Sequence, residues 1–180
     1  IFSTVGIVGA GAMGRGIAQI AAQAGSTVLL FDTQPEAVAR GREAVFLQWD
    51  KLQEKGRLDA AQVQAFKACL QPAALLADLS GCDLVVEAVV ERLDVKKSLF
   101  AELENLVAPQ AVLATNTSSL SVTSIAAGLK HPGRLAGYHF FNPVPLMKVV
   151  EVIAGLKTDP QGCERVVAHA RQMGHTPVQA

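Results

Sequence analysis

Short β-branched runs alternate with longer stretches in which apolar residues recur at helical spacing. This is the pattern of strand–helix–strand units feeding a parallel sheet. Thr4 to Val8 is the first predicted strand, Ala12 to Ala24 a helix stopped by Gly25, and Thr27 to Phe31 the second strand. Pro35 suits the first turn of a long helix running to about Glu54. Lys55-Gly-Arg57 breaks that helix and Ala60 to Ala68 forms another, giving a helical hairpin inserted before the sheet resumes. Asp83 to Ala88 is a continuous apolar strand ending in Glu87, and Leu93 to Leu106 a helix. Ala111 to Thr115 is a further strand, and Ser121 to Ala127 a short helix closed by Gly128. Arg134 to Phe140 and Lys148 to Ile153 complete the strands, before a final helix from about Asp159 to Met173. The expectation is one doubly wound α/β domain over residues 1–180, with a mostly parallel sheet and the hairpin at about 35–68.

Composition narrows the class. The 180 residues carry 16 Lys and Arg against 16 Asp and Glu, and no basic block appears, which argues against a nucleic-acid binder. Half the residues are apolar and 18% are charged, enough for a substantial core and too hydrophobic for a disordered chain. Cys69, Cys82 and Cys163 are odd in number and lack CxxC spacing, so neither a disulfide framework nor a metal site is expected. The uncharged run from Asn105 to Leu129 is long enough to span a bilayer, but Pro109, Asn116 and its Ser and Thr residues would be stranded in lipid. The apolar start, Ile1 to Met13, has no basic leader and is interrupted by glycines, so it does not read as a signal peptide. No membrane association and a cytoplasmic or matrix location are expected. The chain begins with Ile and closes on His175 to Ala180, which reads as the opening of a strand, so both ends look like cuts in a longer protein.

The first strand runs directly into GAGAMG, in which Gly9, Gly11 and Gly14 fit GxGxxG and the next residues open a helix. Gly9 permits the tight turn, Gly11 lets the backbone approach a pyrophosphate, and Gly14 lets helix and strand pack closely, as in a Rossmann dinucleotide site. The diphosphate is expected against the N–H groups of the loop and first turn, from Gly9 through Ala10, Gly11, Ala12 and Met13 to Gly14. Asp32 ends the second strand about 20 residues on, where a carboxylate accepts from a ribose 2′-hydroxyl and repels a 2′-phosphate. NAD is therefore favoured over NADP, and neither Thr33 nor Gln34 argues otherwise. FAD proteins share the fingerprint, so the motif leaves the chemistry open.

A nicotinamide enzyme acting on an alcohol needs a base for the hydroxyl proton, and histidine titrates in the useful range. His131 in a loop, His169 on a charged helix and His175 after a helix-ending glycine read most simply as solvated. His139 stands at the end of an apolar strand (LAGYHFFNP), at the sheet edge where open α/β folds bind ligands. Glu151 lies within another apolar strand (KVVEVIAG), and a hydrogen bond to His139 would satisfy it and orient the imidazole. On spacing alone, a satisfied core histidine and an outward-facing glutamate explain the same residues.

Longer motifs shift that balance. GAGAMGRGIAQ, VVEAVVERLDVKK, TNTSSLSVTSIA (Thr115 to Ala126) and GYHFFNPVPLMKVVEV (Gly137 to Val152) occur in order, and together the chain resembles the 3-hydroxyacyl-CoA dehydrogenase family over nearly its whole length. The resemblance implies NAD-dependent oxidation of a (3S)-3-hydroxyacyl-CoA to the 3-oxoacyl-CoA in fatty-acid or related acyl-CoA catabolism. It matches His139 to the catalytic histidine and Glu151 to its paired carboxylate. Ser118 matches a serine near both nicotinamide and substrate, and Asn142 an asparagine in the same pocket. Glu91 and Lys96 match cofactor contacts, although by composition they read as a solvated helix start. The hairpin corresponds to the arm that receives coenzyme A, and of Lys51, Lys55 and Arg57 the reading favours Lys55. The resemblance also implies a helical C-terminal domain, absent from this stretch, that closes the substrate pocket and carries a homodimer interface. A non-catalytic NAD-binding module and a different Rossmann oxidoreductase remain the alternatives. The first is distinguished by whether His139 and Glu151 come within hydrogen-bond reach.

Overall fold

The computed structural model describes residues 2–118 and 120–180, leaving Ile1 and position 119 outside the description. Among the described residues, eight strands form one sheet: β1 (Thr4–Val8), β2 (Thr27–Phe31), β3 (Leu70–Pro72), β4 (Leu84–Glu87), β5 (Val112–Thr115), β6 (Leu135–Phe140), β7 (Val149–Ile153) and β8 (Thr176–Gln179). Their order across the sheet is β3-β2-β1-β4-β5-β6-β7-β8. Every neighbouring pair is parallel except β6 and β7. The expected doubly wound, mostly parallel sheet is therefore what the chain forms. The short β3 leaves no signal along the chain, because three residues carry too little periodicity to register.

Among the described residues, six α-helices cover the two faces: α1 (Ala12–Gln23), α2 (Pro35–Glu54), α3 (Ala60–Cys69), α4 (Leu93–Leu106), α5 (Val122–Ala126) and α6 (Pro160–Gln172). The sequence explains their ends. Pro35 occupies the first turn of α2, Asp59 and Gln62 form a reciprocal capping box on α3, and Asp159 caps α6. One core packs Ile17, Trp49, Val63 and Val166 from α1, α2, α3 and α6 against Ile7, Leu30 and Tyr138 of the sheet. The other packs Phe100, Leu103 and Ile125 from α4 and α5 against Val85 and Leu113. Because β2 and β4 lie on opposite sides of β1, the chain leaves β1 in two directions, and a crevice opens there at the carboxyl ends of the strands. Among the described residues, no helix is long and apolar enough to cross a membrane.

Candidate active site

The glycine loop fills that crevice. Gly9 adopts φ 110°, its N–H donates to the Phe31 carbonyl (2.8 Å), and a Cβ on it would sit 2.4 Å from the Ala88 carbonyl oxygen. A Cβ on Gly14 would sit 1.7 Å from the Gly9 oxygen, so both positions exclude side chains for internal reasons. Gly11 is different: its φ of −72° suits any residue, and a Cβ there meets nothing within 4 Å. The fold itself gives no reason for glycine at position 11. The space it leaves open lies before the first turn of α1, whose first internal bond runs from the Arg15 N–H to the Gly11 carbonyl. The preceding N–H groups have no helix acceptor, which suits a diphosphate.

Asp32 braces this loop. Its two carboxylate oxygens accept the N–H groups of Ala10 and Gln34, each at 2.9 Å. A carboxylate oxygen has a second lone pair, so both contacts leave Asp32 able to accept from ribose hydroxyls.

On the other side of the crevice, the last residue of β4 starts a polar network. Glu87 is fully buried and accepts the Val89 N–H (2.7 Å), the Thr115 hydroxyl (2.6 Å) and the Lys96 ammonium. Lys96, also buried, reaches Glu91 at 2.9 Å, and Glu91 in turn accepts the Thr117 hydroxyl at 2.7 Å and the Ser118 N–H at 3.3 Å. The solvated helix start suggested by composition is therefore wrong for Lys96. Its side chain is buried and its charge is matched inside the protein.

His139 and Glu151 are register partners across the antiparallel β6–β7 pair. His139 Nδ1 lies 2.8 Å from Glu151 Oε1, with the side chains 17% and 37% exposed. A carboxylate only accepts, so Nδ1 carries a proton in this contact, which leaves Nε2 as the acceptor atom of the neutral ring. Phe141 packs on the imidazole at 4.7 Å between ring centroids. Asn116 takes the Phe140 N–H on its side-chain oxygen (2.8 Å), tying the end of β6 to the end of β5.

These parts converge. A cavity of about 330 Å³ is lined by Met13, Glu91, Lys96, Ser118, His139 and Asn142, together with Asn116. At Asn142 it meets a larger groove of about 610 Å³ between α1, α2 and the segment leading into β7, lined by Val144, Leu146 and the cations Arg15, Arg57 and Lys148. Lys55 is exposed at the end of α2 and does not line either space; Arg57 is the hairpin cation that does. Glu87, Asn116 and Thr117 were not singled out from the sequence. Glu87 carried a usable signal, an acid inside an apolar strand, which is the signal that marked Glu151.

Two of the three histidines expected to be solvated are buried. His169 lies on the inner face of α6, its Nδ1 2.9 Å from the Tyr138 hydroxyl, and burial pushes its pKa down to about 4. His175 folds under Phe140 after the Gly174 turn, with Nε2 3.1 Å from the Val144 carbonyl, and burial again lowers its pKa. Charged neighbours along α6 masked the helix face on which His169 sits. Only His131 is exposed as expected.

A glycine loop at the switch point, an acid closing β2 and a histidine–carboxylate pair on the facing strands define a dinucleotide-binding domain of the dehydrogenase type. The chain belongs to the family described as "3-hydroxyacyl-CoA dehydrogenase, NAD binding domain", whose profile matches residues 4–180, and NAD is the cofactor of this domain. It is 43% identical over 175 residues to the 3-hydroxyadipyl-CoA dehydrogenase of Escherichia coli, covering 97% of this chain and 37% of that protein. It is 42% identical over 173 residues to a probable 3-hydroxybutyryl-CoA dehydrogenase of Deinococcus radiodurans, covering 96% and 62%. The crystal structure of 3-hydroxybutyryl-CoA dehydrogenase from Escherichia coli superimposes with a TM-score of 0.98 at 42% identity, over 99% of this chain and 38% of that one. For (S)-3-hydroxybutyryl-CoA dehydrogenase from Ralstonia eutropha the TM-score is 0.96 at 38% identity, over 99% and 63%. The chain thus spans less than two thirds of the length of these relatives.

Proposed function

We propose that this chain forms the cofactor-binding and base-bearing part of an NAD-dependent oxidoreductase that converts a (3S)-3-hydroxyacyl-CoA to the 3-oxoacyl-CoA. The observation that carries the reading is the 2.8 Å contact of His139 with Glu151 at the wall of the cavity shared with Met13, Ser118 and Asn142. A non-catalytic NAD-binding module has no need of that pair.

Bound NAD supplies the acceptor for the hydride leaving C3. Asp32 accepts from the adenosine ribose and disfavours a 2′-phosphate, while the N–H groups from Gly11 through Ala12 and Met13 to Gly14 take the diphosphate; Gly9 and Ala10, whose N–H groups donate to Phe31 and Asp32, shape the loop around it. His139 Nε2 receives the hydroxyl proton, and Glu151 stabilises the imidazolium that results. Ser118 and Asn142 orient the 3-hydroxyl and acyl group, and Glu91 and Lys96 contact the nicotinamide side of the cofactor. The adjoining groove suits an acyl-CoA: apolar walls at Val144 and Leu146 for the thioester arm, and Arg15, Arg57 and Lys148 for phosphates. Lys55 belongs to the same arm, two residues before Arg57. Relatives named fatty acid oxidation complex subunit alpha, one of them 43% identical over 173 residues, support a place in acyl-CoA oxidation. A cytoplasmic homodimer, joined through the additional length of such relatives, completes the reading.

The test follows NADH absorbance with a panel of 3-hydroxyacyl-CoAs of increasing chain length, alongside direct NADH binding. NADH binding with turnover is the expected result for a protein extended to the length of its relatives. Binding without turnover by that protein would overturn the catalytic reading, and no binding would overturn the cofactor site.

A further inference from the structure

The family resemblance draws attention to Glu91 and Lys96 but gives no role to Glu87, which holds Lys96 from within the protein. The Lys96 ammonium donates to Glu87 and, at 3.4 Å, to the Val89 carbonyl, and it is ion-paired with Glu91 at 2.9 Å. Its two carboxylate partners differ in access. Glu87 is fully buried, held by Thr115 and Val89 as well as Lys96, whereas the Glu91 side chain is 39% exposed and lines the cavity with Lys96. A buried charge pair carries a desolvation cost that apolar residues would avoid, so its position beside the cavity calls for a purpose other than stability.

We infer that Glu87 is a positioning residue for the nicotinamide half of the cofactor: it anchors Lys96 from within the protein and so leaves Glu91 as the exchangeable partner. This rests on the reading that the cavity holds the nicotinamide end of NAD. Glu87 is well placed for the task. It ends β4 at the switch point and is in register with Val8, which leads into the glycine loop, and with Thr115, which leads into Asn116 and Ser118. Its backbone carbonyl accepts the Asn116 N–H at 2.9 Å. One residue thereby links the loop before α4, the Asn116–Ser118 turn and the Lys96 charge. With Glu87 holding one side of Lys96, ribose hydroxyls entering the cavity can replace the Lys96–Glu91 contact, donating to Glu91 and accepting from Lys96, without leaving a buried cation unmatched. Without the Glu87 charge, Lys96 must keep Glu91, and both are withdrawn from the cofactor.

Glu87→Gln isolates this effect. The amide oxygen can still accept from Val89 and Lys96, and the amide NH2 can donate to the Thr115 hydroxyl oxygen, so what is lost is the charge and the acceptor of the Thr115 O–H. In the 180-residue chain the variant is expected to raise the Kd for NADH roughly 10-fold, the loss of a charged hydrogen bond, while the Kd for AMP stays unchanged. AMP reports the adenosine end, held by Asp32 and the glycine loop, and a general loss of structure would weaken both ligands. Thr115→Val removes one support of Glu87, together with the longer contact of the Thr117 N–H to the same hydroxyl (3.3 Å); it should weaken NADH in the same direction by a smaller factor, again sparing AMP, while Thr115→Ser, which keeps the hydroxyl, should bind both ligands as wild type does. If Glu87→Gln does not fold, Thr115→Val decides the matter alone. Unchanged NADH binding, or parallel losses for NADH and AMP, would overturn the inference. A wild-type chain that bound neither ligand would instead overturn the cofactor reading beneath it.

Discussion

His139 and Glu151 stand opposite one another in the antiparallel register of β6 and β7, and their side chains meet at 2.8 Å. Cross-strand partners share a face of the sheet, so the register itself delivers the carboxylate to the imidazole. A slip of one residue would bring Val150 or Val152 opposite His139 and turn Glu151 to the other face. The alternation of β7 guards against this slip: Val150 and Val152 are buried against the α6 side, while Val149, Glu151 and Ile153 face the other way.

The pair predicts two graded losses of activity. His139→Gln should lower turnover by about 10² to 10⁴ with NADH affinity nearly intact, since the base is lost and the cofactor site is not. Glu151→Gln keeps an acceptor for Nδ1–H but removes the charge that stabilises the imidazolium, and should cost roughly 10- to 100-fold. Steady-state rates with a 3-hydroxyacyl-CoA and a separate NADH titration check both.

Gly11 and Gly14 should respond in opposite ways to alanine. Gly14→Ala forces a methyl against the Gly9 carbonyl and should destabilise the fold by about 3 kcal/mol or more. Gly11→Ala meets no protein atom and should cost under about 1 kcal/mol of stability, yet weaken NADH at least roughly 10-fold. Denaturant unfolding beside a binding titration separates the two; equal NADH affinity in Gly11→Ala would remove the diphosphate from that space.

Asp32→Ala should act twice. It removes the acceptor of the Ala10 N–H, loosening the loop, and it removes the carboxylate proposed to select NAD. NADH affinity should fall and the preference over NADPH should narrow, as measured by paired titrations. If both affinities stayed at their wild-type values, Asp32 would be a loop brace alone.

Acid should destabilise the protein through His169. Burial holds its pKa at about 4 in the folded chain, below the ordinary 6.5, so the unfolded chain binds the proton first. Stability is thus complete above pH 6.5 and declines as pH falls from there toward 4, by about 3 kcal/mol in total. His175, lowered for the same reason, adds to the same limb. His169→Gln retains a partner for Tyr138 and cannot titrate, so its curve of unfolding free energy against pH should be flatter over this range. A curve that superimposes on wild type would exclude His169 as the source.

Most of the architecture was legible along the chain because it depends on neighbours in sequence. Apolar runs, Pro35, Asp159 and the glycine fingerprint set strands, helix starts and the crevice loop through local sterics and hydrogen bonds, and the elements fall where these signals place them. The sequence also brought His139 and Glu151 forward as candidates. What tertiary structure alone decided is who meets whom. The antiparallel pairing of β7 joins His139 to Glu151, and burial makes Lys96 an internal cation matched by Glu87 and Glu91. Packing of α6 and the segment after it against the back of β6 makes His169 and His175 neutral core residues. A side chain's charge state and chemistry depend on desolvation and on partners from distant segments, and those exist only once the sheet has assembled.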